Sequence, residues 1–208
     1  MLANLSPSVG DVLLPDGLRP HLDMIASSHE LDDRETEIVI SRSAHHPSIQ
    51  ALFAHIQNRI GEIIRTVDGA YDQVIVDCAP GLSHVVWGAF RSADFVVVPY
   101  FPDQTAEDNV GWLCKRLDAI GLGHQYRTVA NRVAGVDKRA PGIIGSIEAK
   151  YGTLGVQVPA TQPLATALDF RTNPESLASK FGTSNKHVKD LTDAMLEWMN
   201  NSKKVAVA

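Results

Sequence analysis

The chain is short of everything that builds a membrane or secreted protein. No apolar run approaches the roughly 20 residues that cross a bilayer. The opening Met1-Leu2-Ala3-Asn4-Leu5-Ser6-Pro7 lacks the basic stretch, apolar core and small-residue cleavage site of a secretory leader. The expectation is a cytoplasmic protein with no membrane partner. Cysteine is nearly absent. Two residues, Cys78 and Cys114, cannot staple a chain of 208, and neither stands at zinc-ligand spacing from another Cys or His. Both read as reduced thiols used as small apolar side chains. Glycine (15) and proline (11) are too sparse for a fibrous or low-complexity chain. The net charge of −5 is modest but uneven, −9 over residues 1–120 and +4 over 121–208. A basic C-terminal half is compatible with an anionic partner such as nucleic acid, although an excess of this size is also ordinary on a solvated surface.

What is present is 44% hydrophobic and 21% charged residues, enough apolar material for one globular domain spanning 1–208. His21 to Ala26 reads as a short strand. Ile49, Leu52, Phe53, Ile56, Ile60, Ile63, Ile64 and Val67 fall at helical spacing between Pro47 and Asp68, with Gly69 placed to cap the end. Val74-Ile75-Val76 is a β-branched run of the kind buried on both faces of a parallel sheet. A helix-sized segment, Leu82 to Ala93, separates it from a second such run, Phe95 to Pro99. Strand, helix, strand is a βαβ unit. The alternation continues with a helix from Thr105 to Ile120, where Thr105 and Asp108 suggest a capping box, and a strand at Thr128 to Ala130. A helix follows near Ile143 to Tyr151, then a strand at Val156 to Val158 and a closing helix from Asn185 to Asn200. The fold class is therefore α/β, a doubly wound, mostly parallel sheet with helices on both faces.

In such folds ligands sit beyond the carboxyl ends of the strands. Asp77 ends a hydrophobic strand there and is followed by Cys78-Ala79-Pro80-Gly81. An acid so placed can order a magnesium ion beside a phosphate, or simply close a turn and cap the next helix. Asn131 and Pro159 follow later strands and could equally be strand terminators. Cys78 and His84 are too far apart along a turn to read as a nucleophile and its base. The eight histidines, His45-His46 included, show no ligand pattern.

The run from Tyr71-Asp72-Gln73 through Asp77-Cys78-Ala79-Pro80, followed by Ala89-Phe90-Arg91-Ser92-Ala93-Asp94 and the strand ending at Pro99, resembles the second half of the ParA/MinD-type ATPases. Asn131-Arg132-Val133 and Val158 to Pro163 extend the similarity, which covers roughly residues 20–200 in order. The resemblance implies a P-loop NTPase-like domain that binds ATP and magnesium. It makes Asp77 the magnesium-side aspartate, has Asn131 hydrogen-bond the adenine edge, and lays Pro159, Ala160 and Thr161 against the base. It also implies a dimer of two copies and a ParB-like adaptor. The tail from Ser202 to Ala208 is too short for an interfacial membrane helix. That favours the DNA-partitioning branch, whose ATP-bound dimer holds DNA non-specifically on the nucleoid. Arg132, Arg171, Lys180, Lys186 and Lys189 are then the candidates for DNA contact, with a solvated helix face as the plain alternative.

One family element is missing from these residues. The glycine-rich loop whose lysine and backbone N–H groups cradle the phosphates does not occur. Gly121-Leu122-Gly123 and Gly142 to Ser146 lack both the lysine and the spacing. In the family that loop follows a central strand, so the domain is expected to be N-terminally incomplete. It is not expected to hydrolyse ATP unaided, and Val74-Ile75-Val76 should face a gap with unpaired backbone groups. A degenerate, non-catalytic binding module is the alternative reading.

Overall fold

The computed structural model describes residues 13–19, 22–25, 31–135, 138–166 and 176–206. The chain divides into two compact units, 1–93 and 94–208.

In the first unit β1 (Leu13–Arg19) and β2 (Leu22–Ile25) form an antiparallel pair. Strand β2 falls within the expected His21 to Ala26 strand, whose end residues His21 and Ala26 lie outside the described residues. Three helices follow, α1 (Leu31–Ser43), α2 (Ile49–Asp68) and α3 (His84–Ser92). Helix α2 matches its periodicity. The Ser48 hydroxyl accepts the Ala51 N–H at 3.1 Å, and the Gly69 N–H returns to the Val67 carbonyl. Its apolar stripe packs on α3, where Leu52, Val86 and Ala89 are buried. The crossing is close because Gly88 has no side chain: a Cβ there would stand 2.8 Å from both the Gln57 carbonyl oxygen and the Ile60 Cβ.

Between these helices the sequence expectation needs correction. Val74-Ile75-Val76 pairs with no strand among the described residues, and instead of being buried the three residues are 37%, 84% and 48% exposed. A strand suited to the middle of a parallel sheet needs neighbours to satisfy its backbone, and none of the described strands pairs with this segment. The Tyr71 hydroxyl donates to the Asp23 carboxylate at 2.5 Å and ties the start of this segment to β2.

The second unit is a three-stranded parallel sheet in the order β3-β4-β5, formed by Val96–Tyr100, Tyr126–Val133 and Thr153–Pro159. Helix α4 (Ala106–Ala119) connects the first two strands and α5 (Ala140–Lys150) the second two. The short helices α6 (Gln162–Thr166) and α7 (Leu177–Phe181) precede a 3-10 turn and α8 (Asn185–Ala206), which packs on β5. The α/β expectation holds. Val96 and Val98 of β3, Val129 and Ala130 of β4, Ile144 and Ile147 of α5, and Val110, Cys114 and Leu117 of α4 form the core. Buried Thr128 satisfies its hydroxyl by donating to the Gly152 carbonyl at 3.1 Å.

The ends of α4 show where local sequence decides. Gly121, at φ 88°, lets the Leu122 N–H reach back to the Leu117 carbonyl and its own N–H to that of Asp118, closing the helix in a Schellman motif. At the start the expected capping box does not form. Thr105 makes no side-chain cap, because its hydroxyl and N–H both bind the Asp103 carboxylate at 2.9 Å. Among the described residues no helix is long and apolar enough to cross a membrane.

Candidate functional site

Parallel register brings two of the sequence-predicted segments together. Ala130 of β4 lies opposite Gln157 of β5, and Val133 opposite Pro159. Asn131 and the Pro159-Ala160-Thr161 run therefore share the carboxyl-terminal edge of adjacent strands. The Ala160 N–H donates to the Val133 carbonyl at 3.0 Å, which clamps the loop to β4. Asn131 lies inside β4 rather than ending it. Its side-chain oxygen accepts the Arg132 N–H at 2.9 Å, and Arg132 takes φ 56°, the only described non-glycine residue at positive φ. This turn fixes the Asn131 side chain and leaves its NH2 group available to an acceptor. Thr161 is anchored from behind: its hydroxyl and that of buried Ser184 are 2.7 Å apart.

Asp77 belongs to the first unit and is exposed near the end of the unpaired 73–79 segment. Among the described residues no three His, Cys, Asp or Glu side chains gather into a metal cage. A lone exposed carboxylate suits magnesium, which keeps most of its waters and takes one or two carboxylates plus substrate phosphates. Burial first, and the Asp77 charge second, push the Cys78 thiol above its ordinary range, so it is poorly suited to nucleophilic chemistry. The His84 ring stacks on Phe53, with centroids 3.5 Å apart, and its Nδ1 lies 3.3 Å from Gln57 Nε2.

The described DNA candidates lie on three different elements. Arg132 is exposed beside Asn131, Arg171 lies outside the described residues, and Lys180 lies on α7 against the Phe181 ring. Lys186 and Lys189 sit three apart on α8, both exposed. Lys186 is ion-paired with Asp190 at 2.5 Å, which partly cancels its field.

A feature that sequence reasoning passed over is a cavity of about 260 Å³ at the carboxyl end of β3, lined by Pro99, Tyr100, Phe101, Asp103, Thr105 and Asn109 among others. Burial, reinforced by the Glu148 charge, pushes the Tyr100 hydroxyl up to about 12, so it remains a donor at any physiological pH. The signal was available in the aromatic pair directly after a strand-ending proline, at the end of the sheet where ligands bind.

Comparison with known proteins agrees with this architecture. A protein-family model described as an AAA domain matches residues 6–126. The crystal structure of cobyrinic acid a,c-diamide synthase from Mycobacterium smegmatis, with bound ATP analogue and magnesium, superposes at a TM-score of 0.62 with 14% identity. The match covers 91% of this chain and 67% of that one, and at that identity the likeness is one of fold. No curated protein sequence matches significantly.

Proposed function

The chain belongs to this AAA-domain family of ParA/MinD-like P-loop ATPases, and on that premise we propose that it works as a ParA-like ATPase in plasmid or chromosome partition or in cargo positioning. Asn131 donates its amide to the adenine edge, and Pro159, Ala160 and Thr161 lie against the base. Asp77 holds magnesium through water. The ion supplies charge neutralisation on the phosphates when bound. ATP-bound copies dimerise and hold nucleoid DNA non-specifically through Arg132, Arg171, Lys180, Lys186 and Lys189, and a ParB-like adaptor stimulates turnover. The lysine and glycine cradle for the phosphates is not within these 208 residues, so by themselves they are not expected to hydrolyse ATP.

The observation that carries this reading is the shared carboxyl-terminal edge where Asn131, fixed by its own turn, meets the clamped Pro159 loop. It supports a site for a flat, hydrogen-bonding ring. A second reading, a degenerate ParA-like binding or regulatory module, is favoured by the missing cradle and by the unpaired 73–79 segment. Titration with ATP and magnesium separates the two. Binding that is lost in Asn131→Ala supports the first, and no binding supports the second.

A further inference from the structure

Helix α4 buries one stripe in its unit and turns a different one outward. Asp108, Asn109, Trp112, Lys115 and Arg116 are all exposed. Trp112 is 52% exposed, unusual for the largest apolar side chain. The Arg116 guanidinium lies 4.2 Å from the centroid of its ring, so a cation covers one face of the half-exposed indole. The charges around it are arranged with a symmetry of their own. Asp108 stands four residues before Trp112 and Lys115 three after, on the same side of the helix; Asn109 and Arg116 occupy the matching places on the other side.

We propose that α4 is the contact surface for a second copy of this chain, packed antiparallel across a two-fold axis at Trp112. Such an axis carries each residue before Trp112 onto one after it. It sets Asp108 of either copy against Lys115 of the other, and Asn109 against Arg116. The two indoles meet in an offset stack with an arginine on each outer face. A parallel pairing would instead set Lys115 against Arg116, two like charges, and leave Asp108 opposite Asn109. Tryptophan and arginine at the centre with charges at the rim is the usual composition of an association hot spot. One helix per copy is a small interface, so the dimer is weak and transient. It needs no nucleotide and does not depend on the proposed ATPase reading.

The test is sedimentation velocity on the full chain without nucleotide, over a wide concentration range. It is repeated in an Ile75→Lys background so that association through the exposed apolar segment does not contribute, with circular dichroism showing that every variant is folded. The expected result is a reversible dimer whose dissociation constant rises about thirtyfold in Trp112→Ala. Asp108→Lys and Lys115→Glu each weaken it, and the double variant, with both charges exchanged, restores it to near the starting value. A chain that stays monomeric throughout, a dimer indifferent to Trp112→Ala, or a double variant no tighter than either single one overturns the proposal.

Discussion

The side-chain oxygen of Asn131 accepts the backbone N–H of Arg132 at 2.9 Å, and Arg132 stands at φ 56°. A left-handed residue without the freedom of glycine costs about 1–3 kcal/mol and persists where neighbouring contacts hold it. Arg132→Gly is therefore expected to keep the fold and to match or slightly exceed the starting stability. Arg132→Val, β-branched, loses about 1–2 kcal/mol more than Gly at the same position. Urea unfolding of the two variants checks this, and equal stabilities would remove the strain.

Gly88→Ala tests the close approach of α2 and α3. The added Cβ would lie 2.8 Å from a backbone oxygen that cannot swing aside. The expected cost is about 1–3 kcal/mol from overpacking, outweighing the gain in helix propensity. A thermal midpoint at or above the wild-type value would show that the helices can part freely.

Ile75→Lys gives the opposite expectation. At 84% exposure the substitution is expected to change stability by no more than about 0.5 kcal/mol. It should also reduce aggregation by placing a charge on an unpaired extended segment. If the residue were inside a sheet, burying the charge would instead cost several kcal/mol. Denaturant unfolding with light scattering distinguishes the two.

These outcomes bear on what the sequence could reveal. Helix α2 and the parallel strands β3 to β5 were legible because period and β-branching agree locally with the elements that form. The segment around Ile75 reads as a buried strand because composition reports what a residue suits, whereas pairing depends on a neighbour elsewhere in the chain. The Thr105 cap failed for a similar reason, since Asp103 two residues earlier competes for the same hydroxyl and N–H. The shared edge of Asn131 and Pro159 could be ordered along the chain, but their register required the sheet.

The tie between α4 and α5 sets a pH dependence. Glu107 accepts from Lys150 and from the Ser146 hydroxyl; these bonds, the lysine's first, hold its carboxyl below the ordinary range, while the same carboxylate raises Lys150. A lowered acid pKa contributes stability above the unfolded value and loses it as pH falls through the folded one. A raised lysine pKa contributes below its unfolded value and loses it as pH rises through the folded one. The contribution is thus full at neutral pH and fades in acid below about pH 4 and in base above about pH 10. Exposure and salt keep it small. Glu107→Gln should flatten the acid limb of a stability profile, and an unchanged limb would show that the pair contributes nothing.

The central claim, a ParA-like nucleotide site on these residues, is tested most directly by calorimetric titration of the full chain with ATP and magnesium beside Asn131→Ala and Asp77→Asn. With no phosphate cradle in these residues the account predicts weak binding, on the order of 0.1–1 mM. That binding should be lost in Asn131→Ala, and its magnesium dependence lost in Asp77→Asn. No measurable binding by the wild type, or equal binding by all three chains, would contradict it.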